Sequence, residues 1–376
     1  VEFTISGQLE VRISAADVGK RVSVRSLTGP DEPEATFTDT VGVLTSWTDG
    51  VLKITRRTGE SVALQESAVV AGKTVPPPPA RRHGAPAASV SELQQIAARG
   101  WPALETERLG EWTLRASPVV PYEAEAPPRP LRDGFTARGN SVLPWGDSGL
   151  EPDAALREIV RWYAVRGLHA RVQVLLGPVA DASAARTDPG LVAALDAHGW
   201  PAERSTQLRV GALAPLADRE PDGRVRLHRE PDARWLRRYN RASTAGAADG
   251  TVSAADSAAH STATRVLRGG PSVWFATVPY PGAAADGGED RPPAAIGRCV
   301  VDGRWAGFAA VEVAPDCRRQ GLARAVMAEL ARRALAEGAS AGYLQVHGDN
   351  AAAGALYDAL GFTVHHLYHY RRAPQS

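Results

Sequence analysis

Two stretches of this chain are copies of one unit, and that repeat limits the chain to folds which such a unit can build twice. Val172-Gln173-Val174 corresponds to Leu344-Gln345-Val346, and Asp196-Ala-His-Gly-Trp200 to Asp358-Ala-Leu-Gly-Phe362. Gly167 and Gly338 each close a helical pattern, while Gly149-Leu150 and Gly321-Leu322 each open one, to within a residue. Strand-like and helix-like segments alternate through both copies, which implies α/β layers on a sheet. The expected class is α/β (α+β).

Around the repeat, the chain divides by composition. Residues 1–75 read as short β-branched strands, among them Val22–Leu27, Val41–Trp47, Val51–Thr55 and Ser61–Leu64, with Asp49-Gly50 as a hairpin signal. Their spacing predicts a small β-barrel of the SH3-like type. Residues 76–89 begin with four prolines and form a stiff linker without a core. The first copy is expected over residues 90–212. In it, Ser91 caps a helix, strands lie near Gly110–Ala116 and Gly134–Leu143, and a helix runs through Leu156, Ile159, Val160 and Tyr163. The second copy is expected over residues 213–376, with a hairpin across Asp302-Gly303, a long helix over Gly321–Glu337 and a final strand Thr363–Tyr370.

Composition excludes several functions. Lys+Arg is 43 against Asp+Glu at 42, so the net charge of +1 lacks the footprint of a dedicated nucleic-acid or membrane binder. In the first domain Lys53, Arg56 and Arg57 could touch nucleic acid, but Phe37 and Trp47 are too few for a stacking platform. That domain reads better as a docking or oligomerisation module, and a homo-oligomer is open. No apolar run approaches the roughly 20 residues of a membrane helix. Two cysteines, Cys299 and Cys317, give no disulfide framework and fit a reducing compartment, so a cytoplasmic location is expected. The chain opens on alternating strand-like residues, with no secretory segment expected.

The copies differ where chemistry would sit. In the second, strand Val311-Glu312-Val313 leads into Arg318-Arg319-Gln320-Gly321-Leu322-Ala323-Arg324 at a helix start. Free backbone N–H groups and the positive end of the helix dipole converge there. Gly321 permits close approach, Ala323 does not block it, and three arginines add attraction, so the turn reads as a diphosphate cradle. The first copy has Asp147 and Glu151 at that turn, which repel a diphosphate, and Leu195 in place of Tyr357. It is therefore expected to be a degenerate structural partner.

Arg318-x-x-Gly321-x-Ala323 resembles the acetyl-CoA signature of the GNAT superfamily of N-acetyltransferases. Asn350, Ala353, Leu356-Tyr357 and Leu360-Gly361-Phe362 resemble its second signature. The resemblance spans about residues 295–370 and implies a GNAT fold with a mixed central sheet. It also implies acetyl-CoA as cosubstrate, Tyr357 as proton donor to the departing thiolate, and Asn350 as a cofactor contact. Val311 and Val313 would pair through their backbone with the pantetheine amides. The layout of barrel, degenerate copy and functional copy is similar to an actinobacterial tandem-GNAT group. Some of its members are called N-acetylglutamate synthases and others histone or protein acetyltransferases.

Other candidates are weighed against plainer roles. Many relatives carry a Glu general base where Gln345 stands, and an amide cannot act as a base. Glu312 is the next candidate, with a water chain as alternative. Arg298 and Arg304 fall beside the expected acceptor cleft and could bind a carboxylate. Cys317 invites an acetyl-enzyme mechanism but reads better as a small residue packed in a turn. His365, His366, His369 and His347 suggest a metal, yet strand alternation splits His366 from His365 and His369, so none is expected. The acceptor is a small-molecule or peptide amine: the α-amine of glutamate or another small amino acid, or a protein or histone lysine. A non-catalytic acetyl-CoA sensor is the competing reading.

Overall fold

The computed structural model describes residues 11–28, 36–56, 61–75, 87–119, 131–178, 187–239, 254–280 and 291–374. They fall into two units, Val1–Arg81 and Arg82–Ser376. The Pro-rich segment 76–86 and Arg57 lie outside the described residues.

In the first unit β1 (Arg21–Thr28), β2 (Thr36–Thr48), β3 (Val51–Thr55), β4 (Ser61–Gln65) and β5 (Val69–Thr74) make one antiparallel sheet in the order β4-β3-β2-β1-β5. Alternation supplies its core, since Val22, Val24, Leu44, Leu52 and Ile54 are fully buried. The Asp49-Gly50 turn joins β2 to β3 with φ of 51° and 72°, the paired positive angles that this hairpin type requires. Among the described residues no ladder joins the edge strands β4 and β5, so the sheet is open and the expected barrel closure is not seen.

The second unit opens with α1 (Val90–Gly100), capped by Ser89 and not Ser91: the Ser89 hydroxyl accepts from the Glu92 N–H at 3.0 Å. A hairpin of β6 (Glu105–Leu109) and β7 (Trp112–Ala116) follows. Residues Gly134–Leu143, expected as a strand, instead form a short 3-10 turn over Ala137–Gly139, with isolated bridges at Val142 and Leu143. The cause is Asn140. Fully buried, its amide donates to the Phe135 and Thr136 carbonyls and its oxygen accepts from the Ser117 N–H, which diverts the backbone from a ladder.

Next come α2 (Pro152–Val165), β8 (Arg171–Pro178), α3 (Pro189–Ala197), β9 (Thr206–Ala212) and α4 (Leu213–Ala217). Then follow β10 (Arg226–His228), α5 (Ala233–Arg238), α6 (Ala254–Arg268), β11 (Ser272–Val278), β12 (Ala295–Asp302) and β13 (Trp305–Val313). The chain continues with α7 (Leu322–Ala336), β14 (Ala341–His347), α8 (Ala351–Ala359) and β15 (Thr363–Arg372). The paired glycines of the repeat adopt matching conformations: Gly149 and Gly321 have φ of 73° and 78°, and Gly199 and Gly361 have 65° and 81°.

One eight-stranded mixed sheet runs β10-β11-β12-β13-β14-β9-β15-β8, parallel at β13–β14. The final strands of the two copies have changed places. β9, from the first copy, pairs with β14 of the second, and β15, from the second, pairs with β8 of the first. The two exchanged strands also pair with each other. The sheet therefore contains strands from both sides of residue 212. The amphipathic α7 packs Leu322, Val326, Met327 and Leu330 onto this sheet, where Ala276, Cys299, Phe308 and Leu344 complete the core. The first copy keeps its own core around Trp112, Leu156, Ile159, Trp162, Val172 and Leu195.

Candidate functional site

The site is created where two parallel strands part. β13 and β14 are in register only from Trp305 opposite Ala341 to Phe308 opposite Leu344. Immediately beyond, Ala310 has a φ of 52°, and Ala310 and Val311 together oppose the single residue Gly297 of β12. This bulge twists β13 away from its neighbour. A cleft of about 270 Å³ opens there, lined by Val311, Glu312, Gln345, His347, Asn350 and Tyr357 among others. Gly297 has its own reason: a Cβ there would stand 2.4 Å from Val326 Cγ1, so only glycine lets α7 press on the sheet at this point.

At the far end of β13 the chain passes through a 3-10 turn, Pro315–Cys317, to the start of α7. Arg319 and Gly321 both take left-handed conformations, φ 60° and 78°. Successive N–H groups in such a turn point to one side and form an anion-binding nest. Gly321 is the N-cap, and no side chain caps the helix. The amides of Leu322, Ala323 and Arg324 thus lack intrahelical acceptors. A Cβ on Gly321 would meet nothing within 4 Å. Arg318, Arg319 and Arg324 are exposed, and among the described residues none forms an ion pair. These features fit a diphosphate.

The matching turn of the first copy is closed from within. There the Asp147 carboxylate accepts from the Gly149 N–H at 2.8 Å, and the Ser148 hydroxyl accepts from the Leu150 N–H at 3.2 Å. Its own side chains hold the positions that an anion would need.

Asn350 and Tyr357 lie two turns apart on α8. The Asn350 carbonyl oxygen caps that helix, accepting from the Ala353 N–H at 3.1 Å. Tyr357 is half-buried and sits edge-on to Phe362, ring centroids 6.3 Å apart. Burial raises its pKa above the ordinary 10, with the Arg138 charge opposing the shift, so the phenol stays protonated and able to donate at neutral pH. Glu312 reaches the cleft wall from the splayed part of β13. The Gln345 side-chain oxygen accepts from the Tyr368 hydroxyl at 3.0 Å.

Several expected residues stand elsewhere. Arg298 is fully buried and donates to three backbone carbonyls, of Leu267 (2.6 Å), Gly100 (2.9 Å) and Gly269 (2.7 Å). Burial without a carboxylate lowers its pKa to about 10. It holds backbone together and is no acceptor ligand. Arg304 lies at the opposite end of β13, bonded to the Ala87 carbonyl and over the Trp305 ring, outside the cleft. Cys317 is buried in the turn before α7, packed into the core.

The histidines also depart from simple alternation. A bulge in β15 between Val364 and His366 brings the His365 and His366 rings together, their Nδ1 atoms 2.9 Å apart. Gln94 Nε2 faces His366 Nε2 at 2.7 Å, and His365 Nε2 faces the Ala88 carbonyl at 3.0 Å. An amide nitrogen can only donate, so His366 accepts at Nε2, is neutral, and donates from Nδ1 to His365 Nδ1. Burial lowers the His366 pKa to about 3. Among the described residues no three His, Cys, Asp or Glu side chains form a group suited to a metal.

Sequence reasoning missed the far wall of the cleft. It comprises Thr136 and Arg138 from the first copy, Thr206 on the exchanged strand β9, Tyr239, and Tyr368 and Tyr370 on β15. Their arrival follows from the strand exchange, for which the local pattern holds no signal. Residues before 212 thus line the same cleft as Val311, Glu312 and Tyr357.

A bulged strand splayed from a parallel partner, leading to an anion nest at a helix start, is the arrangement that the GNAT resemblance leads one to expect. Residues 87–371 match the model of the family described as "Probable histone acetyltransferase Rv0428c C-terminal", and the chain belongs to that family. It is 27% identical over 359 residues to the "Probable histone acetyltransferase Rv0428c" of Mycobacterium tuberculosis (strain ATCC 25618 / H37Rv), covering 95% of this chain and 96% of that protein. Among solved structures, a GCN5-related N-acetyltransferase from Kribbella flavida is similar at 17% identity and a TM-score of 0.48, over 77% of this chain and 98% of that one. A tandem GNAT protein from the clavulanic acid biosynthesis pathway is similar at 16% identity and a TM-score of 0.43, over 59% and 69% of the respective chains. Among the described residues no helix is long and apolar enough to cross a membrane.

Proposed function

We propose that this protein moves an acetyl group from acetyl-CoA to a primary amine by direct attack, using the second copy alone. The observation that carries the reading is the course of β13. Its splayed segment, Ala310–Val313, leads from the cleft at Tyr357 to the nest at Arg319–Gly321, as a long ligand with a diphosphate at one end and a reacting group at the other requires.

Acetyl-CoA would supply the activated acyl group as a thioester. The amides around Gln320–Arg324 and the Arg318, Arg319 and Arg324 side chains bind its diphosphate. The backbone of Val311 and Val313 pairs with the pantetheine arm as an added strand pairs with a sheet edge. Asn350 contacts the same arm through its amide nitrogen. Glu312 takes a proton from the incoming ammonium, leaving a neutral amine to attack; Tyr357 donates its proton to the departing sulfur, and the proton that the nitrogen sheds as the amide forms returns to Tyr357 through water. Gln345 holds Tyr368 and moves no proton. The first copy, with its turn closed by Asp147 and Ser148, binds no cofactor. A second acceptor class, a protein lysine, is favoured by the description of the Mycobacterium tuberculosis relative.

Calorimetry with acetyl-CoA, followed by release of free CoA over a panel of amino acids, polyamines and histone peptides, tests this reading. One acetyl-CoA per chain and turnover that Tyr357→Phe lowers about 100-fold or more would support it. Binding without turnover across the panel would make the protein a sensor, and absence of binding would remove the assignment.

A further inference from the structure

Acetyl transfer as described leaves one charged group in the cleft without a task. Arg138 lines the wall across from β13 and also lines a smaller cavity of about 10 Å³ behind it. We propose that Arg138, supplied by the first copy, binds a carboxylate of the acceptor, so that the acceptor is a small amino acid or a close carboxylated analogue. This rests on the acetyl-transfer reading above, to which it adds the class of the acceptor.

Arg138 differs from the other buried or half-buried arginines nearby in what it touches. Arg115 donates to the Ser141 carbonyl and hydroxyl, Arg209 pairs with Asp358, and Arg298 serves three carbonyls. Arg138 makes neither a hydrogen bond nor an ion pair among the described residues. Its guanidinium lies over the Trp101 ring, 4.4 Å from the centroid, which orients the plane but neutralises nothing. Arg115 and Arg138 both line the rear cavity, where no acidic residue stands among the described residues. A half-buried guanidinium with no counter-charge, backed by a second buried one, favours an anion as its partner.

The group is also held in place. Asn140 staples the 3-10 turn on which Arg138 sits, and Trp101 Nε1 donates to the Thr136 hydroxyl at 3.0 Å. Thr136 itself takes a φ of 61°, a conformation that a β-branched residue adopts only when its surroundings impose it. The buried Tyr370 hydroxyl on this wall has Tyr368 as its neighbouring hydroxyl and no well-formed hydrogen bond among the described residues, so it can donate to an acceptor oxygen in the cleft. Among the described residues Glu312 is the single carboxylate lining the cleft. The site thus offers an anion for an ammonium and a cation for a carboxylate, the pairing that a zwitterion needs. A basic lysine peptide would instead set positive charge against Arg138.

The test is steady-state CoA release at saturating acetyl-CoA. The substrates are amino acids, their α-amides and the corresponding decarboxylated amines, with lysine peptides as comparison. Wild type is expected to turn over at least one amino acid, with kcat/KM at least 30-fold above that of the matching amide. Arg138→Met should raise KM for the amino acid about 30-fold or more and leave its amide and the KM for acetyl-CoA unchanged; Arg138→Lys should restore part of the loss. The wild-type panel stands even where a variant fails to fold. Preference for a lysine peptide or an uncarboxylated amine overturns the assignment of Arg138 and leaves acetyl transfer intact. Failure of every amine, or of acetyl-CoA binding by calorimetry, overturns both.

Discussion

Replacing Gly321 by alanine separates the strain of a left-handed residue from the loss of a ligand. At φ 78° an alanine costs roughly 1–2 kcal/mol of stability. No further steric cost arises within the protein, since the added methyl meets nothing within 4 Å. Spread over a unit this large, each kcal/mol lowers Tm by only about 2–4 °C, so the variant should fold. The methyl does adjoin the turn that carries the amides of Leu322, Ala323 and Arg324. If a diphosphate lies there, at least one charge-assisted hydrogen bond is lost, worth about 1.5–3 kcal/mol, or about 10- to 100-fold in affinity. Gly149→Ala supplies the control. It sits at the corresponding turn of the first copy, has a φ of 73° and also meets nothing within 4 Å, so its strain is the same. Calorimetric titration with acetyl-CoA, alongside thermal denaturation, reads both effects. Both variants should lose similar Tm, and only Gly321→Ala should lose affinity. Equal affinities in the two variants would refute the diphosphate cradle.

Tyr357→Phe should lower kcat about 10²- to 10⁴-fold with KM for acetyl-CoA unchanged. Because burial raises the phenol above its ordinary pKa of 10, the alkaline limb of the wild-type kcat profile should lie above pH 10, and a limb below pH 9 would exclude Tyr357 as the acid. His366 is neutral when folded, with a pKa lowered to about 3 from 6.5, so the unfolded chain binds a proton that the folded one refuses. Its contribution to stability is therefore full above pH 6.5 and falls by about 1.4 kcal/mol per pH unit below it. Denaturant titrations of wild type and His366→Phe should differ by that slope between pH 6 and pH 4; parallel profiles would refute the neutral-histidine assignment. Residues 82–376 should unfold in one transition, because β9 and β15 tie both copies into one sheet; two resolved transitions in calorimetry would contradict the exchange.

Much of the second copy was legible because its signals are local. The nest residues Arg318–Arg324 lie on consecutive positions, and Asn350 and Tyr357 share one helix face, so sequence spacing carries the geometry. The strand exchange was not legible, since β9 and β15 have the same length and alternation whichever β14 or β8 they join. Every misplaced site residue follows from a long-range partner of this kind. Arg298 was drawn to the cleft by its position on β12, yet three carbonyls from other segments claim it. Arg138 was passed over because it sat in an expected strand, which the side chain of Asn140 folds into a turn.

The trade of terminal strands has a consequence for how such a chain can change over generations. A single-copy ancestor exchanging its last strand with a twin would already place each subunit's residues in the other's catalytic chamber. In one chain, removing either half of residues 82–376 would strip β9 from β14 or β15 from β8, so neither half can be shed without leaving the other's sheet with an open edge.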